Sequence, residues 1–171
     1  DYEGFEEILN AYDWDFCQIQ FNYMDTEIQA GIRGYELAKS RNIPMTIMEP
    51  VKGGMLANVP DEIQAEFRRV HPDWSDASWA LRWVGGHDNV QTVLSGMSTM
   101  EQVIDNVKTF SEIEPLNAEE QATIEQARQL FQARIQVPCT GCRYCMPCPF
   151  GLDIPKNFRL LNTAHVYNVQ A

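Results

Sequence analysis

Four of the five cysteines recur at every third position in one stretch, VPCTGCRYCMPCPFG, running from Val137 to Gly151. Cys139, Cys142, Cys145 and Cys148 are each separated by two residues, and Pro149 follows the last. C-x2-C-x2-C closed by a later Cys-Pro is the thiolate harness of iron–sulfur sites. A cubane cluster offers iron corners several ångströms apart, and a chain that turns back after every second residue aims successive thiolates at different corners. Pro147 and Pro149 forbid a regular helix here, and Gly141 permits a sharp turn with close backbone approach. The last gap is two residues where three is usual, which singles out Cys148. With no second run to share ligands, one 4Fe-4S cluster held by all four thiolates is expected. Cys17 is a distant alternative ligand and reads more simply as a small buried strand residue. Structural zinc also takes four thiolates, but its C-x2-C pairs usually stand well apart. A disulfide would need an oxidising compartment and would strain so short a loop.

The elements that must carry this segment belong to an ordinary globular chain. It has 171 residues, 44% of them hydrophobic and 22% charged, with a formal charge of −11. That charge argues against nucleic acid or an anionic membrane as partner, since both demand basic patches. There is no apolar run of membrane-spanning length and no leader pattern, so a cytoplasmic location is expected. The chain opens on Asp1 and enters a helical pattern directly, so further sequence upstream is also expected.

Helical spacing appears over Asp1 to Asn10, then from Glu27 to Lys39 through Ile28, Ile32, Tyr35 and Ala38. It returns in two pieces after Pro60, the second with Ala77, Ala80, Leu81 and Val84 as its stripe and Gly85-Gly86 as its stop. Further helices follow over Thr99 to Phe110 and from Asn117, where Glu120 is placed as a capping partner and Ile124, Ala127 and Phe131 face inward. Ile154 to Val166 closes the chain as a helix with Pro155 in its first turn. Strands fall near 16–21, 45–48 and 90–94; in the first, Gln18, Gln20 and Asn22 share one face while Cys17, Ile19 and Phe21 take the other. Strands alternating with helices signal βαβ units and a parallel sheet. A (β/α)8 barrel needs eight strands and about 250 residues, so three strands supply roughly three eighths of one. The fold class expected is therefore α/β, a partial (β/α)8 barrel made of the last three βα units, with a helical, cysteine-rich iron–sulfur tail. Its divisions are a partial barrel over 1–112, a connecting helix over 113–136 and a cluster-binding segment with a terminal helix over 137–171. Open sheet edges must pair with missing sequence or with a second copy.

Four segments, DWDFCQIQFNYMD, IMEPVKGGML, ALRWVGGHDNVQTVLSGMSTMEQVIDN and CTGCRYCMPCPFGLDIPKNF, come in an order that resembles the C-terminal half of an aldo/keto reductase. The resemblance is to the bacterial branch that ends in a ferredoxin-like 4Fe-4S motif. It implies that the strands are the sixth, seventh and eighth of the barrel, and that NADPH or NADH lies across the C-terminal mouth. Gln18 then stands as the carboxamide partner, with Met48 where many members place an aromatic ring under the nicotinamide. The loop Glu49 to Gly54, including Gly53 and Gly54, is the pyrophosphate side. Gly96, Met97, Ser98, Gln102 and Asn106 resemble the adenosine-phosphate pocket, where a helix start offers amides to an anion. Gly96 replaces a basic residue that favours NADP in many members.

Simpler roles stand beside these. Gln102, three residues after Thr99, is also placed as a capping partner. Gly53-Gly54 also reads as a turn, and Gln18 as a side chain satisfied inside the barrel. Lys52 reads equally as a solvated loop lysine or a phosphate contact. His71, His87 and His165 take loop or surface positions with no catalytic role. The resemblance also implies an Asp, Tyr, Lys and His tetrad in the first half of the barrel, outside this chain. Without that tyrosine acid nothing protonates a carbonyl oxygen during hydride transfer, so the chain is expected to be inactive alone. The intact protein would be an oxidoreductase interconverting carbonyls and alcohols, with a possible redox partner for the cluster. The rivals are a non-enzymatic electron-transfer or docking module and a structural zinc site.

Overall fold

A computed structural model describes residues 1–139 and 141–168. Three short runs form one parallel sheet: Cys17–Gln20 (β1), Met45–Met48 (β2) and Val90–Val93 (β3), in the order β1-β2-β3. Gln18 pairs with Thr46, Ile19 with Ile47 and Gln20 with Met48; on the other side Thr46 pairs with Thr92 and Ile47 with Val93. An irregularity between Met45 and Thr46 leaves Gln91 as the extra residue of β3. Strand periodicity then sorts the side chains. Ile19, Met45 and Ile47 are buried, while Gln18 and Met48 on the opposite face are exposed.

The helices are Tyr2–Ala11 (α1), Gly31–Ser40 (α2), Asp61–Val70 (α3), Asp76–Gly85 (α4), Met100–Ser111 (α5), Ala118–Arg134 (α6) and Ile154–Tyr167 (α7). Five of the seven starts carry a side-chain cap. Asp1 accepts from the Gly4 amide, Ser75 from Ser78, and Asp153 from Lys156. Thr99 with Gln102, and Asn117 with Glu120, form complete capping boxes. The helix expected from Glu27 begins four residues later. Gln29 and Gly31 take φ of 57° and 56°, so the chain turns through left-handed conformations before it can wind. At Gly31 a Cβ would meet the Thr26 carbonyl oxygen at 2.3 Å, so glycine is required there.

Two buried clusters hold the layers. One joins the sheet face to α1 and α2 through Leu9, Ile19, Phe21, Tyr35, Ala38 and Ile47. The other packs helices on helices, with Ile63, Phe67, Trp79, Ile124, Phe131 and Val166 among its members. The α4 stripe is wider than expected. Trp79 and Arg82 are buried along with Ala80, Leu81 and Val84, because α4 sits between both clusters. Arg82 is satisfied by the Ser78 hydroxyl and the Glu112 carbonyl and lies over the Trp74 ring.

His87 lies in the loop after α4, as expected, but is half-buried there. It stands edge-on to Phe21, Tyr35 and Trp83, and its Nδ1 is 2.7 Å from the Trp83 carbonyl oxygen, which the neutral Nδ1–H tautomer satisfies as donor. Burial among these rings holds its pKa below 6.5. In the unfolded chain the imidazole takes up a proton near its ordinary pKa, so the unfolded state binds more protons just below that pH. Stability is therefore complete at neutral pH and falls as the pH drops through the window below 6.5, above the carboxylate range near ~4. Thermal melts across that window are expected to show a declining midpoint, and His87→Gln is expected to make the decline shallower.

Candidate functional site

The strands point their C-terminal ends toward a cleft of about 610 Å³. The loop after β2 supplies Met48, Gly53 and Gly54 to it; the loop after β3 and the start of α5 supply Gly96, Met97, Gln102 and Asn106. Seven of the nine positions expected to bind a nucleotide thus face one cavity, although they come from segments up to 58 residues apart in sequence, from Met48 to Asn106. Gln18 lies outside the lining but is tied to it, donating from Nε2 to the Met48 sulfur at 3.0 Å. Ser98 is also outside the lining. Its amide donates to Gln102 Oε1 at 2.8 Å, and Gln102 closes the Thr99 capping box, so the capping role assigned to that glutamine is the one in use. Asn106 is held toward the cleft by donating to the Ser95 hydroxyl at 2.9 Å. Gly53 and Gly54 take φ of 62° and 89°, which a side chain would resist, and Gly96 has open space where a Cβ would stand. The floor can therefore admit a ligand close to the backbone.

A buried polar network that sequence reading missed fixes the cleft's loop. Asn22 is fully buried at the end of β1. Its Oδ1 accepts from the amides of Met24 and Asp25, while its Nδ2 donates to Asp25 and to the Glu49 carbonyl at 3.0 Å. Asp25, 2% exposed, also accepts from Gln20 Nε2 and from Lys52 Nζ, the latter at 2.5 and 2.6 Å. Lys52 therefore neutralises a buried carboxylate, and it does not line the cleft. The available signal was the run FNYMD directly after a strand, where Asn22 and Asp25 are spaced for an Asx-type turn. Cys17 is half-buried on β1, and desolvation pushes its thiol up to about 11, which makes it a structural residue rather than a reactive one.

The thiol segment is fastened at its start, and the helix that follows it is fastened at its C-terminal end. Asn162 of α7 accepts from the amides of Gln136 and Val137 and donates to the Val137 carbonyl. At the far end Tyr167 donates to the Met55 carbonyl at 3.1 Å. Between these clamps Gly141, Arg143 and Gly151 have positive φ, so the chain reverses repeatedly, as a cluster harness requires. Cys139, Cys142 and Cys145 are exposed and Cys148 is half-buried. The donor types, spacing and turns fit a cuboidal cluster, but the thiols are not gathered. Among the described residues, no three His, Cys, Asp or Glu side chains come together in a metal-binding arrangement. Thr140 and the last three residues of the expected 137–171 segment lie outside the described residues.

Parallel βα units whose loops build a cleft at the C-terminal ends of the strands define the class: an α/β-barrel segment with its ligand crevice at the customary end. The sequence profile of the aldo/keto reductase family matches residues 2–129, and the chain belongs to that family. Among solved structures, an aldo-keto reductase from Bacillus halodurans is 25% identical in its apo and holo forms, with a TM-score of 0.56 over 71% of this chain. An aldo-keto reductase from Klebsiella pneumoniae in complex with NADPH shares the fold at 18% identity, with a TM-score of 0.56 over 74% of this chain. The chain spans under half the length of these structures, between 44% and 46%. No curated protein matches. The family match ends within α6, ahead of the first clustered thiol.

The Asp25–Lys52 pair carries a stability prediction. Lys52→Met strands a buried carboxylate and is expected to cost about 1–3 kcal/mol in chemical denaturation. Asp25→Asn combined with Lys52→Met is expected to recover part of that loss, which a double-mutant cycle measures.

Proposed function

We propose that this chain is the C-terminal portion of a nicotinamide-dependent aldo/keto reductase, and that its tail binds a 4Fe-4S cluster. The single observation that carries the nucleotide reading is the convergence of Met48, Gly53, Gly54, Gly96, Gln102 and Asn106 on one cleft. The complex of the Klebsiella pneumoniae relative with NADPH supports the same cofactor class here. Gln18 and Met48 would meet the nicotinamide end, while the loop after β3 would take the adenosine phosphates. Bound nucleotide supplies or accepts hydride; this chain's part is to hold and orient it beside an open sheet face. The carbonyl oxygen needs a proton donor, and we assign that to barrel units beyond these three. A second copy would bring the strand count to six, short of eight, so further sequence of the same protein is the better supplier.

Cys139, Cys142, Cys145 and Cys148 would hold the cluster, which supplies one-electron chemistry or a brace for the tail. The division into a partial barrel over 1–112, a connecting helix over 113–136 and a cluster-binding segment over 137–171 follows that assignment.

The test uses the protein at its full native length, purified without oxygen. Equal amounts of iron and acid-labile sulfide are expected, with Cys148→Ser lowering cluster retention; protein that carries zinc, or neither metal nor sulfide, defeats the cluster reading. NADPH fluorescence titration is expected to report binding that Asn106→Ala weakens by up to about tenfold, the effect of one hydrogen bond. Gly96→Val is expected to weaken it further by filling the floor. Undiminished binding in both variants would place the nucleotide elsewhere.

A further inference from the structure

A second cavity, of about 400 Å³, lies on the other side of the loop that walls the nucleotide cleft, and the two share no lining residue. Its floor is apolar, built from Met24, Met55, Leu56, Phe131 and Val166. Its rim is cationic. Every charged residue that lines it is basic, namely Lys52, Arg143 and Arg159, although acidic residues outnumber basic ones 24 to 13 in the chain. Lys52 is already neutralised by Asp25. The guanidinium groups of Arg143 and Arg159 make no ion pair and no hydrogen bond among the described residues. Several other arginines are engaged: Arg82 on a carbonyl, Arg128 on Thr26 and Glu125, Arg134 on Glu62 and Asn168. Arg143 is held beside the cavity in a left-handed conformation, at φ 60°.

Two uncommitted guanidiniums over an apolar floor make a site for an amphipathic anion. Arginine presents a planar fork matched to carboxylate and phosphate oxygens, and it is less strongly hydrated than lysine, so an anion displaces its water readily. A binding pocket commonly combines a mostly apolar lining with a few charged groups that fix orientation. We propose that the cavity between α6, α7 and the thiol segment is a second ligand site for a small organic anion. Its carboxylate or phosphate would lie against Arg143 and Arg159, and its apolar body would rest on Met24, Met55 and Phe131. The site is independent of the nucleotide reading. It adjoins the proposed cluster through Cys139, which lines the same cavity.

The experiment titrates the full-length protein with 4-phenylbutyrate and with phenyl phosphate by calorimetry, comparing wild type with the Arg143→Gln/Arg159→Gln double variant. Both probes are expected to bind, and the double variant is expected to weaken them by about tenfold or more, since charge-assisted hydrogen bonds are lost. The tighter of the two identifies the anion as planar carboxylate or as phosphate. The neutral analogue 4-phenylbutanol is expected to bind at least about tenfold more weakly than the acid. Because neither guanidinium has a partner among the described residues, the melting temperature of the double variant is expected to match wild type. Equal affinity in wild type and double variant overturns the proposal, as does probe binding that Asn106→Ala abolishes while the double variant retains it. Wild-type protein that binds neither anion also overturns it. Nucleotide affinity, measured in parallel, separates failure here from failure of the cofactor reading.

Discussion

A parallel sheet is stable when both faces are covered, and here three strands bury only one. Ile19, Met45 and Ile47 seal against α1, α2 and the base of α4, whereas Gln18 and Met48 face outward. In a closed barrel that second face would be interior. The same incompleteness explains the apolar residues left at either end. Trp14 and Phe16 stand beside the free edge of β1, and Met100, Ile104 and Val107 form an exposed stripe at helical spacing on α5. Both sets are apolar side chains that the three-strand sheet and its helices leave exposed.

The open mouth still has a defined shape because its loops are anchored from below. Asn22 binds two amides, a carboxylate and the Glu49 carbonyl, so the loop after β1 and the loop after β2 are locked to one another. A fully satisfied buried network of this kind specifies one arrangement, since each alternative leaves a polar group unpaired. On the other side, the Thr99 capping box fixes the entry to α5, and Asn106 about two turns later holds Ser95. The cleft between them is thus bounded by two independently braced loops.

Much of this was legible in the sequence because it depends on local chemistry. The three strands follow from alternation, the Thr99–Gln102 and Asn117–Glu120 boxes from residue spacing, and the thiol segment from its cysteines and prolines. The missing pieces depend on contacts between distant residues. Periodicity alone extended α2 back to Glu27, since Ile28 matches the stripe, but a left-handed turn at Gln29 and Gly31 intervenes. Lys52 looked free because Asp25 is 27 residues away, and His87 looked exposed because its cage comes from β1, α2 and α4. The positions expected to meet a cofactor stand in the sequence as residue types in order; that seven of them share a cavity required the register of the sheet. The cysteines pose the opposite case: their pattern is complete in sequence, while their mutual arrangement rests on the backbone between Val137, which Asn162 holds, and the start of α7.

Val166 lies in the same buried cluster as Ile63, Phe67 and Trp79, and Tyr167 beside it contacts Phe131 and reaches back to the Met55 carbonyl. The terminal helix is therefore a lender to the barrel's own interior rather than a passenger on it. A tail of this design has no clean seam. Grafting the cysteine segment onto another member of the family would require carrying α7 and the receiving face of α6 along with it, and trimming the chain after the last cysteine would open the helical core.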